Sequence, residues 1–294
     1  GSTYFGPVSR PWAMTFAPFG SWNSPSSGVE PIWGQPTSTI DFCEPNYVMP
    51  WVAEFANSVS ALPMVWLPAA GLRQAWLLGF GSEIVVAYAV IFVVGIGTLM
   101  FHATLSRTGQ ILDEIPMMWS VLALLHAIFI ASERRHGLPN ASGRRGELVT
   151  CGAVATFVYF QFGFDVFLFL YVSSICVLLL AVFKLAFFAS PPQLRAKPST
   201  HLLFLLSAAV YIGGFIALWL PGEGLCRKYP HILERVPMHA LFHLTSTAGP
   251  HLALVAIVLY KFDGDLSCVV LTSACFFYLP AINQPPVTWA NPKK

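Results

Sequence analysis

The chain has 294 residues, of which 55% are hydrophobic and only 10% are charged, and its formal net charge is +2. Soluble domains carry about 25% charged residues, so this composition excludes an ordinary soluble globular protein and indicates a membrane protein. The charge is mild, and the sequence holds neither a glycine-rich phosphate loop nor a basic stripe interleaved with aromatic residues. Nucleic acid is therefore excluded as a partner.

Seven apolar runs each approach the roughly 20 residues that cross a bilayer core. They cover residues 47–67, 83–103, 114–132, 147–163, 166–189, 201–220 and 237–260. A shorter run, 266–280, contains Pro280 and is interpreted as an interfacial or packed tail, so an even number of spans stays open. We predict an all-α membrane protein: a lumenal segment 1–46, a seven-helix transmembrane catalytic bundle 47–260 and an apolar tail 261–294.

The orientation of the bundle follows from its basic residues, which collect on the cytoplasmic side of membrane proteins. With the N-terminus outside, the inner segments hold the larger group: Arg73, Arg134, Arg135, Arg144, Arg145, Arg195, Lys197, Lys261, Lys293 and Lys294. The outer segments hold Arg10, Arg107, Arg227, Lys228 and Arg235. We therefore expect a lumenal N-terminus and a cytoplasmic C-terminus, and residues 1–40 lack the pattern of a cleavable signal peptide.

An acidic motif precedes and enters the first apolar run. Glu54 lies within that run, where a carboxylate needs a partner or a cation. Asp41, Glu44 and Asn46 lie shortly before it and supply the hard oxygen ligands that calcium prefers. A solvated acidic loop in which Asn46 caps a helix is the alternative, but it leaves Glu54 unexplained. The motif predicts a calcium site.

The cysteines fall into two groups. Cys43 and Cys226 both lie on the predicted outer side, where the lumen of the secretory pathway permits a disulfide bond. We predict that these two are bonded to each other. The remaining cysteines lie in apolar stretches and are interpreted as small packing residues: Cys151, Cys176, Cys268 and Cys275.

Three histidines fall within membrane-buried helix predictions. His239 and His243 are four residues apart, so they lie on one face of one helix, and His102 comes from the second run at a matching depth. A lone histidine in such a place is more often a hydrogen-bonded packing residue, as expected for His126, His201 and His251. Three at one depth instead favour a metal. Three nitrogen ligands leave a fourth position for water, which is typical of catalytic zinc.

Two further polar residues lie at the level of the histidines. Asp113 is expected either to cap a helix that has Pro116 in its first turn or to take a proton from zinc-bound water. Thr98 precedes His102 by four residues and either donates to a substrate carbonyl or bonds the preceding helical turn. Gly95 and Gly97 are expected to allow close helix packing.

In order along the chain, these motifs resemble the alkaline ceramidases, membrane amidases of a superfamily that also includes the adiponectin and progestin receptors. The resemblance runs nearly the whole length. The motifs that carry it are WGQPTSTIDFCE at Trp33–Glu44, AEFANSVS at Ala53–Ser60, Phe101 with His102, LDEIP at Leu112–Pro116, and HALFH at His239–His243.

The resemblance implies a seven-helix fold and hydrolysis of the ceramide amide to a sphingoid base and a fatty acid. The lipid substrate is expected to enter sideways from the bilayer of the endoplasmic reticulum or Golgi. Zn²⁺ would be held by His102, His239 and His243, with Asp113 assisting the attacking water. A regulatory Ca²⁺ would be held by Asp41, the Phe42 carbonyl, Glu44, Asn46 and Glu54. The sequence sets no oligomeric state.

The chain departs from the family pattern at several positions. Thr98 stands where the family has a serine that helps to stabilise the oxyanion, so we expect a hydroxyl with an altered rate or substrate preference. Phe42 replaces a tryptophan, which matters little if only its carbonyl binds calcium, and Pro45 replaces a glutamate. The motif between His239 and His243 lacks a tryptophan pair, so the lipid pocket is expected to have another shape.

Two other functions remain open from the sequence. One is a lipid-responsive receptor or structural membrane protein on the same scaffold, with zinc kept and turnover lost. Retention of Asp113 beside the histidines argues against it. The other is a hydrolase of a different lipid or specialised-metabolite amide or ester, which Thr98 and the altered pocket motif favour.

Overall fold

The structure of the chain is a computed structural model, and it describes residues 28–136, 141–189, 191–226, 228–229, 232, 235–264, 267, 269–274 and 277–282. The expectations for residues 1–27, for Cys268 and Cys275, and for the last twelve positions of the tail lie outside those residues. Every structural statement below concerns the described part of the chain.

Each predicted apolar run overlaps one long helix. The helices are α1 (Phe55–Leu77), α2 (Ser82–Thr104), α3 (Arg107–His136), α4 (Ala141–Phe162), α5 (Phe164–Phe187, ending in a π-helical turn), α6 (Pro198–Cys226, with a π-helical turn at Phe215–Trp219) and α7 (Met238–Phe262).

In the described residues, 6 helices are long and apolar enough to cross a membrane, and α4 is not among them. Its first two turns contain Arg144, Arg145 and Glu147, which lower its mean hydropathy. The fold is therefore a helical, multi-pass membrane bundle.

The first helix begins later than the sequence predicted. The run 47–67 suggested a helix from Tyr47, but α1 extends from Phe55 to Leu77. The reason is that the preceding segment lies across the end of α2: the backbone N–H groups of Ala53 and Glu54 donate to the carbonyls of Ala103 and His102, both at 2.9 Å. These bonds satisfy carbonyls that a helix C-terminus leaves open, and they place Glu54 just before α1.

Helix α2 packs closely between α1 and α3. A Cβ on Gly97 would overlap the Leu112 carbonyl of α3, and a Cβ on Gly95 would overlap the Met64 carbonyl of α1. The predicted close packing at both glycines is confirmed. Gly97 is the more consequential position because it brings the backbone of α2 against Asp113.

The two ends of the bundle differ. At one end, Lys261 near the end of α7 pairs with Glu83 in the first turn of α2. Arg135, in the last turn of α3, donates to the Leu194 carbonyl at 2.7 Å and to the Tyr260 carbonyl at 3.2 Å. Most of the apolar core packs in this half of the bundle. We call it the basic end, and the opposite end, which holds the three histidines, the histidine end.

The segment after the bundle differs from the all-helical expectation. Strands β1 (Val269–Ala274) and β2 (Phe277–Ile282) form an antiparallel hairpin in which Leu271 lies opposite Pro280. These segments are rich in valine, aromatic and other strand-forming residues. Pro280 is tolerated because each strand of a two-stranded hairpin is an edge strand.

Candidate metal centre

The three histidines predicted as metal ligands lie together at the histidine end. The ring centroids of His102 and His243 are 4.8 Å apart, those of His239 and His243 are 4.7 Å apart, and those of His102 and His239 are 5.2 Å apart. All three rings are buried, and their ligand atoms lie within 4.8 Å of one another. In the described part of the chain this is the one such group of histidine, cysteine and acidic residues, and it could hold a metal ion.

Two helix termini bring the histidines together. His102 lies in the last turn of α2, while His239 and His243 occupy successive turns at the start of α7. The four-residue spacing puts the latter pair on one face of α7. Their convergence with His102 depends on the packing of two helices that are distant in the sequence.

Glu54 contacts the first of these histidines. Its Oε2 accepts a short hydrogen bond from His102 Nδ1, and its Oε1 accepts one from the Phe42 backbone N–H at 2.9 Å. Asn57 Nδ2 also donates to Oε2, at 3.2 Å, and Glu54 is fully buried. An ionised carboxylate can only accept, so with Glu54 ionised His102 donates from Nδ1–H, and the lone pair on Nε2 is left for a metal.

Ser60 orients a second histidine in the same way. Its Oγ donates to the Asn57 carbonyl at 3.0 Å and lies 2.8 Å from His243 Nδ1. The single hydroxyl proton is used on the carbonyl, so Oγ accepts from Nδ1–H. His243 therefore also has Nε2 available as a metal ligand.

Asp113 and Thr98 are in direct contact. Thr98 Oγ1 lies 2.5 Å from Asp113 Oδ1 and 2.9 Å from the Val94 carbonyl oxygen. Both residues line the same cavity as His239 and His243. Asp113 does not cap α3, since the helix begins six residues earlier, at Arg107. Of the two expected roles for Thr98, the bond to the preceding turn is present, and the bond to Asp113 was not foreseen.

The residues predicted as calcium ligands lie in one segment beside the histidines. Asn46 Nδ2 donates to both carboxylate oxygens of Asp41, at 3.1 and 3.0 Å. The Glu44 carboxylate accepts from the backbone N–H groups of Ala56 and Asn57 and so caps the start of α1. Burial raises the pKa of the Glu44 carboxyl above its usual value, while these two hydrogen bonds lower it.

The side chain of Phe42 has a role that the sequence did not reveal. Its ring centroid lies 3.7 Å from that of His239 and 5.1 Å from that of His102. The sequence suggested that only the Phe42 carbonyl matters. The ring instead packs on two members of the histidine cluster, so the side chain at position 42 forms part of the wall of this site.

The predicted disulfide is confirmed: Cys43 is bonded to Cys226, with a Cα–Cα distance of 5.7 Å. The bond ties the acidic segment to the end of α6.

Cys151 and Cys176 are free and exposed on the outer surface of the helices, so their interpretation as small packing residues was wrong. In a membrane protein an apolar surface can face lipid, and hydropathy alone does not distinguish it from the core.

The three histidines interpreted as packing residues stay outside the cluster. His251 Nδ1 bonds the Tyr88 hydroxyl at 3.1 Å, and His201 stacks on Phe187. His126 is partly buried on α3 near the basic end.

Two residues that sequence reasoning missed, Ser60 and Glu223, contact members of the cluster. Serine and glutamate have no sequence signature for such a contact.

Comparison with known proteins gives one family. A ceramidase family model matches residues 34–266, which include every predicted site residue. An alkaline ceramidase of Saccharomyces cerevisiae is 26% identical over 270 residues, with 80% of each chain covered.

Shorter matches have higher identity. Alkaline ceramidase 3 of Mus musculus is 39% identical over 107 residues, or 36% of this chain and 40% of the relative. An alkaline ceramidase of Arabidopsis thaliana is 33% identical over 105 residues, or 35% of this chain and 41% of the relative. These two matches cover less than half of each relative.

Proposed function

Because the chain belongs to the ceramidase family, we propose that it is a zinc-dependent intramembrane amidase that hydrolyses ceramide or a close lipid amide to a sphingoid base and a free fatty acid. The observation that carries the proposal is the buried group of His102, His239 and His243, two of which share a cavity with Asp113. A metal-binding group and a carboxylate at one cavity are the parts that a metal-assisted hydrolase needs.

The donor set fits zinc. Three neutral imidazoles suit this metal, and an Nδ1 that is hydrogen-bonded to protein fixes the tautomer in which Nε2 binds it. The ligand atoms of His102, His239 and His243 lie within 4.8 Å of one another, so these three residues would hold the ion. When bound, zinc supplies a water molecule whose pKa is lowered to about 7.

The residues of the chain supply the proton transfers. Asp113 takes the proton of the water that adds to the amide carbonyl carbon, and it returns this proton to the amine nitrogen as the C–N bond breaks. The Thr98 hydroxyl, 2.5 Å from Asp113 Oδ1, holds this carboxylate in position. The atoms balance: water adds across the amide, and the acid and the amine leave.

The cavity has the composition of a lipid site. Apart from the catalytic group, its walls are mainly apolar and come from α1, α2, α3, α5, α6, α7 and the segment before α1, including Ile91, Val94, Phe167, Phe215 and Trp219. Such a lining matches the hydrocarbon chains of a membrane lipid. The substrate would enter from the bilayer.

Calcium binding at the acidic segment is part of the proposal. Asp41, the Phe42 carbonyl, Glu44, Asn46 and Glu54 would hold the ion, which would tune activity rather than take part in the chemistry. Support comes from Glu54, which lies between this segment and His102. Asn46→Ala should weaken the response of turnover to calcium while zinc remains bound, whereas Glu54→Ala should also weaken zinc binding because it removes the hydrogen-bond partner of His102 Nδ1. Unchanged calcium activation would remove calcium from the proposal.

The proposed topology has seven spans, a lumenal N-terminus and a cytoplasmic C-terminus. Two observations support it. The cationic side chains of Arg135 and Lys261 lie at the end opposite the histidines, as expected of a cytoplasmic face. The Cys43–Cys226 bond lies at the histidine end, as expected of a face in the oxidising lumen of the endoplasmic reticulum or Golgi.

The test is fatty-acid release from a panel of ceramides by detergent-purified protein, with and without a zinc chelator. Asp113→Ala is the matched control, since it removes the carboxylate and leaves the histidines. Release that is sensitive to the chelator and absent in Asp113→Ala supports the proposal. No release from any ceramide, with zinc present by elemental analysis, would contradict it and favour a receptor.

A second substrate class is favoured by one observation. Thr98, in place of the family serine, adds a methyl group beside Asp113 in the cavity. The added methyl restricts both the rotamer and the space. The panel should therefore include other lipid amides and esters, and faster release from one of these than from every ceramide would identify that class.

A further inference from the structure

Nδ1 has an oxygen partner in two of the three histidines of the metal centre, and His239 is the exception. Nδ1 of His102 donates to Glu54, and Nδ1 of His243 donates to Ser60. Nδ1 of His239 is buried and has no hydrogen-bond partner among the described residues. Glu223 Oε1 lies 3.5 Å from it, and this oxygen too is buried and lacks a hydrogen-bond partner in the part of the chain that the structure describes.

Leaving His239 Nδ1 and Glu223 Oε1 without hydrogen bonds to the described residues lowers the stability of the fold. A buried polar atom left without a hydrogen bond costs about 1–3 kcal/mol, so their placement requires an explanation. A histidine that binds a metal through one nitrogen nearly always donates its other N–H to a carboxylate, a carbonyl or water. A gap of 3.5 Å closes to hydrogen-bond length with a small rotation of either side chain.

We propose that Glu223 is a positioning residue for the metal centre: it accepts a hydrogen bond from His239 Nδ1 when metal is bound and so presents Nε2 of this histidine to the ion. The inference rests on the proposed zinc site. It gives each of the three ligands its own oxygen partner, with Glu54 for His102, Ser60 for His243 and Glu223 for His239.

The Cys43–Cys226 disulfide restrains the helix end that carries Glu223. Glu223 lies in the last turns of α6, three residues before Cys226, and the disulfide from Cys226 to Cys43 fixes this helix end against the acidic segment. A small cavity beside it is lined by Glu44, Asn57, Glu223 and His239. The positive charge of a metal ion bound by His239 would favour the ionised form of the Glu223 carboxyl, which has no Lys or Arg ion-pair partner among the described residues.

The experiment is a zinc-affinity measurement that needs no substrate. Full-length wild type, Glu223→Gln and Glu223→Asp are purified in detergent, stripped of metal, and titrated with zinc against a competing chelator. Thermal unfolding is measured with and without zinc. Glu147→Gln is the matched control, because Glu147 is an exposed carboxylate on α4.

We expect Glu223→Gln to raise the zinc Kd by about 10–100-fold, Glu223→Asp to give a smaller increase, and Glu147→Gln to give none. The Tm of the metal-free proteins should agree, with the difference appearing only when zinc is added. If Glu223→Gln does not fold, Glu223→Asp carries the test.

Two outcomes would overturn the inference, and they differ in what else they overturn. Wild-type zinc affinity in both Glu223 variants would remove the positioning role and leave the proposed amidase standing. The same holds if the variants lower the Tm of the metal-free protein and leave zinc affinity unchanged, since the role would then be structural. Failure of the wild type to bind zinc would overturn the proposed function as well.

Discussion

The two ends of α2 each place a charged or ionisable side chain in the interior of the bundle, with opposite results. At the basic end, Glu83 pairs with Lys261, whose Nζ also donates to the Phe80 carbonyl at 2.6 Å. At the histidine end, His102 bonds Glu54 through only one of its two ring nitrogens. Glu83 and Lys261 neutralise each other's charge. The pair of His102 and Glu54 instead leaves Nε2 of His102 beside two more histidines.

This contrast distinguishes an ionisable side chain that stabilises the fold of a membrane protein from one that takes part in its function. A buried ion pair with further hydrogen bonds can be maintained without a ligand. A buried group whose coordination stays incomplete requires an ion or substrate, and intramembrane ionisable residues of that kind are functional. Four experiments test whether the two ends of α2 differ in this way.

The largest effect is expected at the metal centre. His243→Ala removes one of three ligands, so bound zinc and turnover should both fall to background. Elemental analysis and fatty-acid release measure the two. His126→Ala, at a histidine on α3 outside the cluster, is the control and should keep both. Full activity in His243→Ala would mean that the zinc mechanism is wrong.

At the basic end the expected effect is on stability. Glu83→Gln leaves the Lys261 ammonium buried and uncompensated, and breaking such a pair costs about 3–5 kcal/mol. Chemical unfolding in detergent measures the loss. The specific activity of the folded fraction should stay at the wild-type value, and Glu83→Leu combined with Lys261→Met should restore most of the stability. A loss of activity per folded molecule would contradict the structural role of this pair.

Removal of the disulfide should have a smaller effect on stability. Cys43→Ser/Cys226→Ser releases a link between residues 183 apart in sequence, and loss of a native disulfide costs about 2–4 kcal/mol. Zinc affinity should also fall, because Glu223 lies one turn from Cys226. The control is Cys151→Ser/Cys176→Ser, which changes the two free cysteines. Equal stability in the two double variants would show that the bond does not hold this end of the protein.

The smallest effect is expected at Thr98. Thr98→Ser keeps the hydroxyl and should change kcat by less than about tenfold, since only a methyl contact is lost. Thr98→Val keeps the shape and removes the hydrogen bond to Asp113. A hydrogen bond to a charged group contributes about 1.5–3 kcal/mol, so kcat should fall by about 10–150-fold. Zinc content should not change in either variant. Equal rates for the valine and serine variants would exclude a role of the hydroxyl.

Much of the site could be predicted because its signals are local. Hydropathy located the membrane helices, and the spacing of His239 and His243 put both rings on one face of α7. Cys43 and Cys226 could be paired because the predicted topology put both on one side of the membrane. The start of α1 could not be predicted, since hydropathy is continuous from residue 47 and the helix is delayed by bonds to the carbonyls of α2.

The hydrogen-bond partners of the histidines could not be predicted from the sequence. Glu54 bonds a histidine 48 residues away, and Ser60 bonds one 183 residues away. Acidic neighbours made Glu54 resemble a calcium ligand alone, and nothing near Ser60 or Glu223 in the chain indicates a contact with a histidine. A hydrogen bond requires two atoms to be placed within a few tenths of an ångström, and only packing sets that distance.

Composition, hydropathy and residue spacing were enough to predict a membrane protein with three histidines in apolar helices, a nearby aspartate and a disulfide between Cys43 and Cys226, because these signals are local in the chain. Three features could be read only from the folded chain: the nitrogen of His102 and His243 that is left for a metal, the packing of Phe42 on the cluster, and the position of Glu223 opposite His239. These features depend on contacts between segments far apart in the chain, which helix packing creates and local sequence does not encode.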